Sequence, residues 1–128
     1  MSVKIFDLPG LPKRLYPQLA AIRVQDGDPP HDIAFLRKVR SLGLPAADYH
    51  AVYAVEDDEI LSKVETRWLT FRSPSGSQPV AGISDVTTRP TAGRRGLAGA
   101  LFEEVHRREA ARGVEWSFLW THLSWGAH

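Results

Sequence analysis

Apolar positions follow a helical period in the first third of this chain and an alternating one in the middle. A helical period then returns near the end. Lys4 to Phe6 is a short apolar run closed by Leu8-Pro9-Gly10, which predicts a strand and a turn. Leu15, Leu19 and Ile22 recur at helical spacing and predict a helix over Leu11–Val24, started late or kinked by Pro17. Asp26-Gly27-Asp28-Pro29-Pro30 breaks it. Ile33, Leu36 and Val39 then predict a second helix from His31 or Asp32 to about Gly43. From His50 the period is two. His50–Val55 is β-branched and aromatic, and Glu56–Glu59 is a polar turn. In Ile60–Arg72, Val64, Thr66, Trp68 and Thr70 alternate with Lys63, Glu65, Arg67 and Leu69. Ser73–Pro79 reads as a flexible hairpin loop and Val80–Arg89 as a further strand. The short connections predict an antiparallel meander.

After a loop over Pro90–Gly96, Leu97–Arg112 is the clearest helix. Leu97, Leu101 and Val105 form its apolar stripe, Glu103 with Arg107 and Glu104 with Arg108 are i,i+4 pairs, and Gly113 supplies the stop. Val114–Thr121 is a strand with an apolar centre, read as buried within a sheet, with Trp116 and Trp120 as core residues. With the preceding strand and helix it makes a β-α-β unit.

Bulk properties narrow the function only by exclusion. One domain over residues 1–128 fits the length, and 43% hydrophobic with 24% charged residues fits a globular protein. A net charge of +1 gives no general drive toward nucleic acid or membrane. The absence of cysteine removes disulfides, thiolate metal sites and a cysteine nucleophile, and fits a cytoplasmic setting. No apolar run approaches a membrane span or a signal peptide, and His50, His106 and His122 lack metal-ligand spacing, so no metal is expected.

Chemistry concentrates at residues 86–98. A strand ends at Pro90, a loop with two glycines and two arginines follows, and an amphipathic helix starts at once. A helix N-terminus leaves about four N–H groups without intrahelical partners and carries partial positive charge. Gly93 and Gly96 let an anion approach the backbone, and Arg94 and Arg95 add charges that fork onto phosphate oxygens. The arrangement suits a pyrophosphate, although an ordinary solvated turn has the same composition. No Gly-Lys-Ser/Thr follows, which removes a Walker loop, and the dinucleotide glycine spacing is missing.

This segment resembles motif A of the GNAT acetyltransferase family, whose loop runs Arg/Gln-x-x-Gly-x-Gly/Ala. Here it reads Gly93-Arg94-Arg95-Gly96-Leu97-Ala98: Gly96 and Ala98 match, and Gly93 replaces the first Arg or Gln. The element order fits as well. The resemblance implies an α+β fold, GNAT-like (acyl-CoA N-acyltransferase), with a mixed, mainly antiparallel sheet flanked by helices. It implies acetyl-CoA as the acetyl donor. The backbone over Val86, Thr87 and Thr88 would pair with the pantetheine arm beside a bulge, and the amides of Arg94 to Ala98 would hold the pyrophosphate. A backbone N–H near Val86 would polarise the thioester carbonyl, and a carboxylate would take the proton of a small-molecule or protein amine.

Glu65 and Asp85 are the candidate bases, and His122, at the end of the last strand, is a candidate for proton transfer. The plain alternatives are a solvated sheet face for Glu65 and a strand or bulge hydrogen bond for Asp85, which strict alternation turns away from Val86. His106 reads as a surface residue, and Arg37-Lys38-Val39-Arg40 as a solvated basic face. Ser124 and Ala127 match the start of the family's motif B, and the rest of that motif is not in the sequence, so the resemblance implies a C-terminally truncated version of the fold. That expectation leaves two functions open: an acetyl-CoA-dependent N-acetyltransferase, or a CoA-binding module of weak or no activity acting through a partner chain. It also implies a sticky last strand and a possible homodimer. A nucleic-acid binder built on Arg89, Arg94 and Arg95 is disfavoured, since no aromatic platform interleaves with them.

Overall fold

The computed structural model describes residues 3–25 and 49–119. Strand β1 spans Lys4–Asp7, and a 3₁₀ turn over Lys13–Leu15 leads into helix α1, Tyr16–Gln25. Pro17 sits in the first helical turn, where its missing N–H costs nothing. Strands β2 (Tyr49–Glu56), β3 (Glu59–Ser73) and β4 (Gly76–Thr88) follow. A 3₁₀ turn over Pro90–Ala92, helix α2 (Leu97–Ala111) and strand β5 (Trp116–Leu119) complete the order. The second helix expected near residues 31–43 lies outside the described residues, as do Trp120, His122 and Ser124.

The sheet runs β1-β2-β3-β4-β5. Its first three pairings are antiparallel, and β4 with β5 is parallel, as a β-α-β unit requires. Among the described residues, each face buries one helix. Leu15, Tyr16, Leu19 and Ile22 bring α1 onto Ala51, Tyr53, Val55 and Ile60. Leu97, Leu101 and Val105 bring α2 onto Val52, Ala54, Leu61, Val64 and Ile83. The stripe read from the sequence of α2 is the face it buries. Its ion pairs differ in detail: Arg107 and Arg108 both reach Glu104.

Two expectations are corrected. Residues 73–79 are not a flexible loop. The ladder continues outward to Ser73↔Gly76, with Thr70 facing Pro79, and only Pro74-Ser75 turns the chain. Period-two alternation persists past the buried part of the strands, and cross-strand pairing prevails over the turn-forming residues. Strand β5 is not buried in mid-sheet either. Trp116 is 56% and Phe118 47% exposed, so Trp116 is no core residue. Both pair with buried positions of β4, Val80 and Gly82, but alternate with Ser117, which donates to Glu109 of α2, and so point away from that helix.

Two bulges shape the middle of the sheet. Ala54 faces Ser62 while Val55 faces Ile60, which leaves Leu61 as an extra residue in β3. Glu65 faces Asp85 while Thr66 faces Ile83, which leaves Ser84 as an extra residue in β4. A bulge bends its strand and resets which face later side chains take. Beyond Ser84, Asp85 and Thr87 therefore share the α1 face with Glu65 and Lys63.

Candidate functional site

The loop between β4 and α2 is built around positive φ. Gly96 has φ 73° and Arg94 has φ 63°. A side chain at Gly96 would meet no atom within 4 Å, so the backbone conformation, rather than crowding, selects glycine there. Gly96 is also the N-cap of α2, with no side-chain cap, and the first turn carries no acidic residue. The leading amides of α2 keep their partial positive charge without an internal acceptor. These features fit an anionic ligand such as a pyrophosphate.

The two arginines are placed differently. Arg94 is exposed and makes no ion pair among the described residues. Arg95 donates two hydrogen bonds to Glu56, at 3.1 Å and 2.9 Å, tying the loop to the end of β2. In this arrangement Arg95 is a strut, and the sequence reading of both arginines as phosphate forks applies to Arg94 alone. Leu97 is buried beneath the loop, and Ala98 is half-buried one residue further along α2. Gly93 keeps an ordinary φ of −64° and closes the preceding 3₁₀ turn through its N–H to Pro90.

Upstream on β4, Val86 packs partly buried against the α2 core. Thr88 shares a 2.8 Å hydrogen bond with Ser62, whose hydroxyl also donates to the Thr87 carbonyl at 3.1 Å. The parallel pairing of β4 with β5 runs from Val80↔Trp116 to Ile83↔Leu119 and stops where the bulge begins. Residues 84–88 thus continue β4 past the end of its described partner.

On the α1 face of this stretch lies a buried charged cluster. Lys63 Nζ is 2.7 Å from Asp85 Oδ2 and 3.3 Å from Glu65 Oε2, with side-chain exposures of 1%, 8% and 3% for the three residues. The Lys63 ammonium and the Asp85 carboxylate attract as opposite charges at this distance. Thr87 donates to Asp85 Oδ1 at 3.1 Å. Burial, then the hydrogen bond with Glu65, pushes the Asp85 carboxyl up to about 6, and Lys63 opposes the rise. A carboxyl tuned toward neutrality can take and return a proton near physiological pH. The bulge brings the two sequence-predicted bases together. A solvated sheet face for Glu65 is ruled out by its burial. Lys63 was missed, although its i,i+2 spacing to Glu65 in an alternating strand signals a shared face. Asp85 lies three residues before the end of β4, roughly 10 Å of strand from the loop.

The α2 face carries a second ionisable group. His50 is 2% exposed and accepts a hydrogen bond at Nε2 from Arg108, at 3.3 Å. Burial first, then Arg108, lowers its pKa to about 4. Its ring lies 5.7 Å from that of Trp68, over which the Arg112 guanidinium stacks at 4.4 Å. This group sits under the C-terminal half of α2, away from the loop. His106 is a surface residue of the helix, as expected.

Comparison with known proteins identifies the fold and the family. The fold matches an aminoglycoside acetyltransferase from an uncultured soil metagenomic sample, with a TM-score of 0.69 at 24% identity, covering 95% of this chain and 81% of that one. It also matches the aminoglycoside antibiotic 6'-N-acetyltransferase of Acinetobacter baumannii, with a TM-score of 0.71 at 18% identity, covering 95% and 81%. A predicted acetyltransferase from Clostridium acetobutylicum, solved with acetyl-CoA, gives a TM-score of 0.69 at 14% identity, covering 94% and 81%. No curated protein is matched. The family model described as an acetyltransferase (GNAT) domain matches residues 25–124, well over half of the sequence. The chain belongs to the GNAT acetyltransferase family.

Proposed function

We propose that this chain transfers the acetyl group of acetyl-CoA to a primary amine of a small cationic acceptor. The observation that carries the reading is the uncapped N-terminus of α2 behind Gly96, free of acidic residues and beside Arg94, which makes no ion pair among the described residues. Bound acetyl-CoA would supply an activated thioester carbonyl. The amides of Arg94 to Ala98 and the Arg94 guanidinium hold the anionic end of that ligand. The backbone of Val86, Thr87 and Thr88, beyond the end of the β4–β5 pairing, offers an edge for its extended arm. A backbone N–H near Val86 serves the carbonyl as a hydrogen-bond donor. Asp85, held by the hydrogen bond it accepts from Thr87, takes the proton that the acceptor ammonium must lose before it can attack, and once protonated can donate to Glu65. The net charge of Lys63, Glu65 and Asp85 with both carboxylates ionised is −1, which favours a cationic acceptor. Fold neighbours named as aminoglycoside acetyltransferases support the choice of polyamine acceptors. His122 and Ser124, outside the described residues, carry no step in this reading.

The test pairs calorimetry with a thiol-release assay. CoA and acetyl-CoA should bind with an affinity that falls as salt rises, and acetyl-CoA should release thiol with amines from a panel of aminoglycosides, polyamines and amino acids. No affinity for CoA in the folded protein would overturn the loop assignment. Tight CoA binding with no turnover on any amine would overturn the transfer step and leave a CoA-binding module.

A further inference from the structure

Lys63 has no part in the mechanism so far, yet its ammonium is buried as deeply as the core leucines. A lysine removed from water persists as a charge only where opposite charge surrounds it. Two carboxylates do so here, one from its own strand and one from β4. From the geometry we infer that Lys63 is a positioning residue for the acetyl-transfer reaction: its ammonium fixes the Asp85 carboxylate and keeps it available as the proton acceptor. The inference rests on the base role proposed for Asp85.

Two buried carboxylates side by side repel when both are ionised, and one of them then keeps a proton. A protonated Asp85 is no base. Lys63 lies 2.7 Å from Asp85 Oδ2 and offsets that repulsion, while Thr87 holds Oδ1 from the other side. The carboxylate plane is thus held at both oxygens. Other ionisable groups presented to this face among the described residues are Tyr16 from α1, Tyr53 from β2 and Arg67 from β3. Tyr53 is directly opposite Lys63 in the β2–β3 register. None of these is a carboxyl or an imidazole, so Lys63 and Glu65 dominate the balance at Asp85.

The experiment is a pH–rate profile with acetyl-CoA and the amine that gives the fastest thiol release in the panel above. Lys63→Met should shift the acid limb of kcat/KM upward by about one pH unit or more, because the lost cation had favoured the ionised base. Activity should recover toward alkaline pH, and the KM for acetyl-CoA should stay near wild type. Lys63→Arg should restore most of the limb. A folded Lys63→Met with the wild-type limb overturns the inference. Asp85→Asn separates the two ideas, since wild-type kcat in that variant defeats the base assignment itself, whatever Lys63 does. Nitrogen NMR of Lys63 Nζ in the unmodified protein needs neither folding of a variant nor a known acceptor. The ammonium resonance should move with the titration of Asp85, and a resonance indifferent to it also overturns the inference.

Discussion

On its α1 face the sheet buries a lysine between two carboxylates, and on its α2 face it buries a histidine beneath two arginines. The first face compensates charge with charge. The second avoids charge, because burial and Arg108 keep His50 neutral and use it as an acceptor. The two solutions respond differently to damage and to pH. Charge compensation is strong only while every partner is present, whereas a neutral base is indifferent to its neighbours until the solution turns acid.

The largest expected effect breaks the charged face. Lys63→Met should cost roughly 3–5 kcal/mol in urea unfolding, the cost of leaving a buried charge without its partner. His50→Gln, which keeps an acceptor for Arg108, should cost at most about 2 kcal/mol at pH 7. Equal costs would mean that the faces are not built differently.

Next in size is the pH dependence, where the faces should oppose each other. His50 has a depressed pKa of about 4, so its contribution is complete above about 6.5 and is lost as pH falls toward 4, up to roughly 3 kcal/mol. Asp85 has a raised pKa of about 6, so its contribution is complete below about 3.9 and is lost as pH rises through 6, by a similar amount. Between pH 4 and 6 the two offset each other. Relative to wild type, His50→Gln should therefore gain stability as pH falls through this window, and Asp85→Asn should gain as it rises. Unfolding curves at half-unit steps read both slopes, and slopes of the same sign would defeat the assignment.

The loop offers a control that touches neither face. Gly96→Val forces a β-branched residue to φ 73° and should cost about 1–2 kcal/mol. CoA affinity should fall in calorimetry while both pH slopes stay in place. Arg94→Ala should leave stability unchanged and weaken CoA roughly tenfold at low salt, with a smaller loss at high salt. The smallest effect belongs to Glu56→Gln, which releases an exposed strut. A few-fold loss of CoA affinity is expected, and a loss larger than that of Arg94→Ala would reverse the roles given to the two arginines.

Much of this architecture was legible because it rests on local periodicity. The α2 stripe, the loop ending at Gly96 before it and the β-α-β unit all follow from spacing within a few residues. The charged cluster was legible only in part. Glu65 and Asp85 each stood out as an acid in a strand, but their meeting requires Ser84 to be taken up as a bulge rather than paired, which strict alternation does not anticipate. Lys63 carried no sign of its burial, because burial is decided by what packs from distant elements rather than by neighbours in sequence. The outer β3–β4 ribbon was misread for a related reason: serine, glycine and proline between residues 73 and 79 speak for a loop, and cross-strand pairing overrode them.

Ser84 also separates shape from composition in a way few positions allow. It is a single inserted letter in an otherwise regular alternation. Delete it, and Ile83 and Asp85 become adjacent residues opposite Thr66 and Glu65, with every remaining side chain keeping its present face. The chain would lose no charge, no apolar contact of the core and no residue of the loop, only one hydroxyl that donates to the Glu65 carbonyl at 3.4 Å. What disappears is the bend in the strand. A one-codon deletion is thus an edit of curvature alone, and it can show whether this sheet needs its particular geometry or merely its inventory of side chains.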